Sequence, residues 1–156
     1  MASVARLAAR ERPRQRSSTR NVLQGIITAI VHGPVEAEVG LLVNDRIVID
    51  ALVSNASIEG LELRPGGRAI ALVKASLVTL LDVRPGLMLS ERNLIGGTVA
   101  EIVEGPVLSE VVLDIGGGCE IAAIITTRSA RDMALAVDVQ ALACIKASSI
   151  ILAVEE

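Results

Sequence analysis

The amino-acid sequence predicts an all-β protein that contains two tandem copies of one small domain. The first observation is an internal repeat, because segments of the first half recur without gaps 72 positions later. The second is the composition, since 51% of the residues are hydrophobic and none is Phe, Tyr or Trp. The core must therefore consist of Val, Ile, Leu and Ala, and the β-branched residues among them favour strands.

The repeat keeps one offset over its whole length. It predicts a flexible basic arm over residues 1–17, a first domain over residues 18–83 and a second domain over residues 90–156. The equivalent segments are Ser18-Thr-Arg20-Asn21 and Ser90-Glu-Arg92-Asn93, Gly25 and Gly97, Gly33-Pro34 and Gly105-Pro106, Glu38-Val39 and Glu110-Val111, and Lys74-Ala75-Ser76 and Lys146-Ala147-Ser148.

Three strands are predicted in the first part of each unit. In the first unit they cover residues 21–31, 35–43 and 46–53, which are rich in β-branched residues and bounded by turn residues. Asn44-Asp45 suits a tight hairpin between the second and third strands. Gly116-Gly117-Gly118 suits the same hairpin in the second unit, because glycine adopts the left-handed conformations of such turns.

Each unit then has one short helical turn and a long apolar stretch. The helical turns are predicted at residues 57–63 and 130–137, and residues 69–81 are predicted as a last strand that Lys74 and Ser76 interrupt. An ammonium group within such a strand would be costly to bury without an anionic partner. Four or five short strands and one helical turn predict a small OB-like barrel. Because so small a unit has a thin core, we expect the units to pair or the chain to oligomerise.

Charge and hydropathy exclude several classes of protein. Residues 1–17 contain five arginines and one glutamate, whereas the whole chain has a net charge of −3, so the folded part is acidic. No apolar run is long enough for a membrane helix, and the arginines near the N-terminus do not fit a secretory signal. A cytoplasmic protein is therefore expected. The absence of aromatic residues argues against nucleic-acid binding by base stacking.

The sequence contains no arrangement that indicates catalysis. His32 is the one histidine, and Glu104 is its counterpart in the second unit. Cys119 and Cys144 lack the spacing of metal ligands and are interpreted as small apolar residues. Gly116-Gly117-Gly118 is not followed by the Lys-Ser/Thr of a phosphate-binding loop, which favours a hairpin turn.

Polar residues that both units share are the remaining signal. Ser18, Arg20 and Asn21 precede the first strand, and Lys74 and Ser76 lie near the end of the unit. Two hydroxyl residues three positions apart flank each helical turn, namely Ser54 and Ser57 in the first unit and Thr126 and Ser129 in the second. Hydroxyls, amides and cations suit a small oxyanion, which offers only acceptors. The alternative is that the cations form surface ion pairs and the hydroxyls cap helices.

These motifs resemble the signature of Mop-type domains. Ser-x-Arg-Asn-x-(Leu/Ile)-x-Gly opens both units and Lys-Ala-Ser closes both, over about residues 18–154. The position after the first serine, usually alanine, is Thr19 and Glu91. The resemblance implies a molbindin, which forms a ring of three chains and binds molybdate between units. It implies the following molybdate-binding set: Ser18, Arg20, Asn21, Ser54, Ser57, Lys74, Ala75, Ser76, Ser90, Arg92, Asn93, Thr126, Ser129, Lys146, Ala147 and Ser148.

The function that follows is passive binding and storage of molybdate or tungstate. We expect no enzymatic activity, no cofactor and no direct bond between the protein and a metal ion, and we expect a cytoplasmic homotrimer. One alternative is the oxyanion-sensing effector domain of a molybdate-responsive transcriptional regulator, although residues 1–17 are too short for a helix-turn-helix. A second alternative, an OB-like RNA binder, is disfavoured by the missing aromatic residues and the acidic body.

Overall fold

The computed structural model of the protein describes residues 18–83 and 86–155. The predicted basic arm over residues 1–17 lies outside these residues. Strands dominate the described part of the chain, and the helices in it are short. The prediction of an all-β protein with two tandem OB-like units is confirmed.

The elements of the first unit have equivalents in the second, in the same order. The first unit contains β1 (Asn21–His32), β2 (Glu36–Leu42), β3 (Val48–Ser54), α1 (Asn55–Gly60), β4 (Arg68–Val73), the 3-10 turn η1 (Ala75–Leu77) and β5 (Val78–Leu81). The second contains β6 (Asn93–Glu104), β7 (Leu108–Gly116), β8 (Cys119–Thr126), α2 (Thr127–Asp132), β9 (Gln140–Ile145), the 3-10 turn η2 (Ala147–Ser149) and β10 (Ile151–Ala153).

The two units exchange their last strands. One five-stranded sheet has the order β10-β4-β1-β2-β3, and the other has the order β5-β9-β6-β7-β8. All the pairings are antiparallel, and β5 pairs with β9 as β10 pairs with β4. Each sheet therefore takes four strands from one unit and its fifth from the other, an exchange that the sequence analysis did not predict.

The long first strand of each unit bends so that it can pair on both sides. The start of β1 pairs with β4 and its second half pairs with β2, with an irregularity in register between Ile27 and Ala29. The equivalent strand β6 has the same irregularity between Val99 and Glu101. Because a bulge increases local twist and bends a strand, it lets five short strands curl into a half-barrel.

Both helices begin earlier than predicted. The predicted helical turns over residues 57–63 and 130–137 are wrong in their limits, because α1 begins at Asn55 and α2 at Thr127. Ser54 and Thr126 hold the N-cap positions, and each side-chain oxygen accepts a hydrogen bond from a backbone N–H of the first turn. The cap therefore starts each helix two or three residues before the apolar residues that were used to predict it.

The predicted last strand over residues 69–81 is in fact two strands. The 3-10 turn η1 separates β4 from β5, and Lys74 is the residue before that turn. Lys146 has the same place before η2. Both lysines are exposed, so the expectation of a costly ammonium within a buried strand is wrong. The Lys-Ala-Ser segment ends one strand and redirects the next into the neighbouring sheet.

The main apolar core of the described residues joins the two units. Buried Val, Ile, Leu and Ala residues from both sheets form one continuous cluster. Leu80 of β5 and Leu152 of β10 belong to it, so the exchanged strands contribute side chains as well as hydrogen bonds. This shared core agrees with the expectation that the thin units would pair. No helix within residues 18–83 and 86–155 has the length and apolar character needed to span a membrane.

Candidate anion-binding site

The sheet register brings the opening and closing motifs of each unit together. Asn21 at the start of β1 pairs with Val73 at the end of β4, so the residues before Asn21 lie beside those after Val73. Asn93 and Ile145 are paired in the same way in the second unit. We call the resulting groups the first polar end, comprising Ser18, Arg20, Asn21, Lys74, Ala75 and Ser76, and the second polar end, comprising Ser90, Arg92, Asn93, Lys146, Ala147 and Ser148.

A buried asparagine attaches each polar end to the other unit. The Asn21 Nδ2 atom donates to the Ala122 carbonyl oxygen at 2.8 Å, and the Ala122 N–H donates to Asn21 Oδ1 at 2.7 Å. Asn93 makes the same two bonds with the backbone of Asp50, both at 2.8 Å. The structure therefore engages both predicted site asparagines in fastening the units together.

The alanine of each Lys-Ala-Ser segment lies against the opposite unit. Ala75 is buried and packs with Val112 and Ala122, so η1 lies against β8. The equivalent turn η2 lies against β3, the strand that contains Asp50. Ala75 and Ala147 thus place the neighbouring lysine and serine side chains at the surface, where both lysines, Ser76 and Ser148 are exposed.

The two site arginines form equivalent ion pairs across the units. The Arg20 guanidinium donates to Glu110 Oε1 from Nη2 at 3.0 Å and from Nε at 3.3 Å. Arg92 Nη1 donates to Glu38 Oε1 at 3.0 Å. Each guanidinium has five N–H donors, so one carboxylate does not exhaust its capacity. The ion pairs agree with the alternative reading of these arginines and leave anion binding by them as a prediction.

The hydroxyl pairs lie at a distance along the sheet from the polar ends. Ser54 Oγ accepts a hydrogen bond from the Ser57 N–H at 3.1 Å and contacts Ser57 Oγ at 2.9 Å. Thr126 Oγ1 and Ser129 have the equivalent contacts at 3.1 and 2.8 Å. Both pairs cap helices, as the alternative reading predicted. Ser54 follows Asp50 by four residues along β3, and Thr126 follows Ala122 by four residues along β8. The hydroxyl pairs of a single chain are therefore separated from its polar ends by several residues of strand.

Three acidic residues near the polar ends were not predicted as part of the site. Glu38 and Glu110 were visible in the repeat as equivalent residues, and this recurrence was the signal that could have identified them as partners of the arginines. Asp50 has no acidic counterpart. The pKa of its carboxyl is raised above the ordinary value, chiefly by burial and then by Glu38, while Arg92 lowers it.

The pKa values of the two cysteine thiols are raised, and the described residues contain no metal-binding cluster. Burial raises the pKa of the Cys119 thiol, to which Asp114 contributes, and likewise that of the Cys144 thiol, to which Glu91 contributes. A raised pKa makes a thiol less reactive, since the thiolate is the nucleophile. Within residues 18–83 and 86–155, no group of three or more His, Cys, Asp or Glu residues could hold a metal ion.

The fold and these two ends define a protein made of paired OB-like domains whose surface presents cations and hydroxyls in duplicate. The TOBE domain model matches residues 17–80 and 89–152. The chain therefore belongs to the TOBE domain family and contains two copies of that domain.

Named relatives of this chain are molybdenum proteins. It is 40% identical over 139 residues to the molybdenum transport protein ModE of Azotobacter vinelandii, covering 89% of this chain and 51% of that protein. It is 39% identical over 138 residues to the molybdenum-pterin-binding protein MopA of Rhodobacter capsulatus, covering 88% of this chain and 52% of that protein. The chain thus spans about half the length of these relatives.

A solved structure is similar over nearly the whole described fold. A crystal structure of the cytoplasmic molybdate-binding protein ModG, with molybdate bound, matches with a TM-score of 0.87 and 38% sequence identity. The match covers 90% of this chain and 100% of that one.

Proposed function

We propose that this protein binds molybdate or tungstate and stores it in the cytoplasm without covalent chemistry or a cofactor. The observation that carries the proposal is the twofold recurrence of one arrangement, in which the register brings a guanidinium, an ammonium group and serine hydroxyls to the same strand ends. Such a group of donors complements a tetrahedral dianion. The similarity to the molybdenum-pterin-binding protein MopA and to the molybdate-binding protein ModG supports a molybdenum-containing ligand.

The proposed ligands are the two polar ends together with the hydroxyl pairs Ser54–Ser57 and Thr126–Ser129. Since a single chain separates the hydroxyl pairs from the ends, we propose that another chain supplies the missing half of each site. Val35 and Val107 support this assembly, because they are 73% and 71% exposed. Their carbonyl oxygens accept the Asn55 and Thr127 N–H groups at 3.0 and 2.8 Å, which places apolar surface directly beside both hydroxyl pairs.

A melting experiment tests the ligand class. Bound anion should stabilise the folded state by about 4 kcal/mol at a thousandfold excess over its dissociation constant. Molybdate and tungstate should therefore raise the melting temperature clearly, and sulfate and phosphate at equal concentration should raise it much less. The melt is followed by far-ultraviolet circular dichroism, because the chain has no aromatic residue. Equal shifts with all four anions, or none with any, would overturn the proposal.

The homotrimer is tested separately. Sedimentation equilibrium at micromolar concentration should give a mass close to three chains, and calorimetric titration with molybdate should give the number of anions per chain. A stable monomer that binds molybdate with full stoichiometry would contradict the proposal that sites lie between chains, while leaving the ligand class intact.

A second candidate function is the effector domain of a transcriptional regulator. A relative from Yersinia pestis is named transcriptional regulator ModE, is 30% identical over 148 residues and has 56% of its length covered. The arginines of residues 1–17 would suit nucleic-acid phosphates. A gel shift with duplex DNA, with and without molybdate, distinguishes these two functions. A protein that only binds and stores molybdate should give no shift at physiological salt, whereas a molybdate-dependent shift would favour the regulator.

A further inference from the structure

The two polar ends differ in charge although their backbones are equivalent. The Asn21 side chain bonds the backbone of Ala122, whereas the Asn93 side chain bonds the backbone of Asp50. The residue that follows the first serine is Thr19 in one unit and Glu91 in the other. The second polar end therefore has two carboxylates that the first polar end lacks.

Asp50 lies in contact with the second polar end. Its backbone N–H and carbonyl bond the Asn93 side chain at 2.8 Å each, and its strand β3 packs against η2, which follows Lys146. The charged groups that act on its carboxyl are Glu38 on β2 and Arg92 before β6. Burial and Glu38 already disfavour a negative charge at this position, so a dianion beside it would add to the same repulsion.

Glu91 adds a second negative charge to this end. It directly precedes Arg92, and its carboxylate acts on the Cys144 thiol of β9. Cys144 is on β9, two residues before Lys146, which follows the end of that strand and precedes η2. The second polar end thus has three cations, since Arg46 lines one cavity with Arg92 and Asn93, and three carboxylates, whereas the first has two cations and one carboxylate, that of Glu110.

The exposure of the arginines differs in the same direction. The Arg20 side chain is 30% exposed and bonds Glu110 through two nitrogens, whereas the Arg92 side chain is 70% exposed and bonds Glu38 through one. A less exposed cation is less screened by water and salt and interacts more strongly with an anion.

We infer that the two polar ends bind an oxyanion with unequal affinity, and that Asp50 and Glu91 weaken binding at the second. This inference rests on the proposed function. One unit charge about 4 Å from another changes a binding constant by about fivefold even at the dielectric constant of water. We therefore expect the dissociation constants of the two classes of site to differ by about fivefold or more.

Calorimetric titration of the whole protein with sodium molybdate at neutral pH tests the inference. The unaltered protein should show a tight and a weak class of site. Asp50→Asn and Glu91→Gln should each tighten the weak class by about fivefold or more without changing the tight class. Asp138→Asn is the matched control, because it removes the same charge from a loop that lies before β9, near Val99 and away from both polar ends.

Three further variants assign the classes and keep the test independent of any one substitution. Arg20→Ala should remove the tight class, and Arg92→Ala the weak one. Thr19→Glu should weaken the tight class, and circular dichroism of each variant reports whether it is folded. Identical sites in the unaltered protein, or no response of the weak class to both carboxylate substitutions, would overturn the inference. Failure of every protein to bind molybdate would instead overturn the proposed function.

Discussion

The side-chain amide of Asn21 forms both a donated and an accepted hydrogen bond with the backbone of Ala122, 101 residues later in the chain. Asn93 does the same with Asp50, so two equivalent buried amides join the units. Because β3 and β8 are edge strands, the outward N–H and C=O groups of Asp50 and Ala122 have no neighbouring strand to bond, and the asparagine side chains satisfy them. The polar ends consequently serve the assembly of the fold as well as its surface chemistry.

Asn21→Ala and Asn93→Ala should each destabilise the protein substantially. Each removes two hydrogen bonds and leaves a backbone N–H and C=O without their partners, which costs about 2–4 kcal/mol at the buried Ala122 and less at the half-buried Asp50. Urea denaturation followed by circular dichroism measures the loss. The control Asn55→Ala removes an amide that donates to the Gly33 carbonyl at an exposed position and should cost under about 1 kcal/mol. Equal losses in the free energy of unfolding for Asn21→Ala and Asn55→Ala would contradict the stabilising role of the Asn21 hydrogen bonds.

Arg20→Ala should weaken molybdate binding, whereas Glu110→Gln should not. The first removes a charge-assisted bond worth about 1.5–3 kcal/mol, or roughly ten- to a hundredfold in affinity. The second breaks the same ion pair but leaves the guanidinium in place and removes a competing carboxylate, so affinity should stay or increase. Arg92→Ala and Glu38→Gln repeat the comparison at the second polar end. Titration calorimetry measures the affinity of each variant for molybdate. Equal losses of affinity in the arginine and glutamate variants would show that binding depends on the ion pair and not on the arginine alone.

The exchanged strands should make both sheets unfold together. Leu80 on β5 and Leu152 on β10 are equivalent, buried and located in the sheet of the other unit. Replacing either with alanine should cost about 2–5 kcal/mol through lost burial and a residual cavity. Each variant should still melt in one transition, because each strand couples both units. The exposed Leu77 provides the control, with little effect expected on replacement by alanine. Two separate transitions in calorimetry would indicate independent units.

Asp50 should make stability depend on pH. Its pKa in the folded state is raised above the ordinary 3.8, so the folded protein binds this proton more tightly than the unfolded chain does. The stability that it contributes is complete below that ordinary value and is lost as pH rises through the raised pKa. Asp50→Asn should therefore be more stable than the unaltered protein at neutral pH, by a margin that shrinks on acidification. Urea denaturation at several pH values measures this margin, and a constant margin would contradict the prediction.

Much of the architecture could be predicted from local pattern. The constant offset revealed two equivalent units, and β-branched runs between turn residues located β1, β2 and β3 within a few residues. The polar residues that recur in both units were also evident. The helix limits were missed because the caps Ser54 and Thr126, and not the apolar residues, determine where α1 and α2 begin.

Other features depend on contacts between residues far apart in the chain. The recurrence of Glu38 and Glu110 marked them as equivalent residues but did not indicate that each pairs with the arginine of the opposite unit. The structure shows that Asp50 and Ala122 are equivalent partners of the two asparagine side chains, and this contact places the extra carboxylate of Asp50 at the second polar end. Sequence spacing cannot supply such relationships, since a side chain's neighbours in a sheet come from strands of any separation.

The sequence by itself determined that there are two all-β units, that their core is aliphatic, and that each has the same set of hydrogen-bond donors at its ends. Only the tertiary structure decided which unit completes which sheet and which arginine faces which glutamate. The physical reason is the repeat itself. Because β5 and β10 occupy equivalent places in two units of the same topology, either could satisfy the hydrogen bonds and apolar contacts of β4 or β9. The connection through η1 and η2 and the packing of Ala75 on β8 select the exchanged pairing.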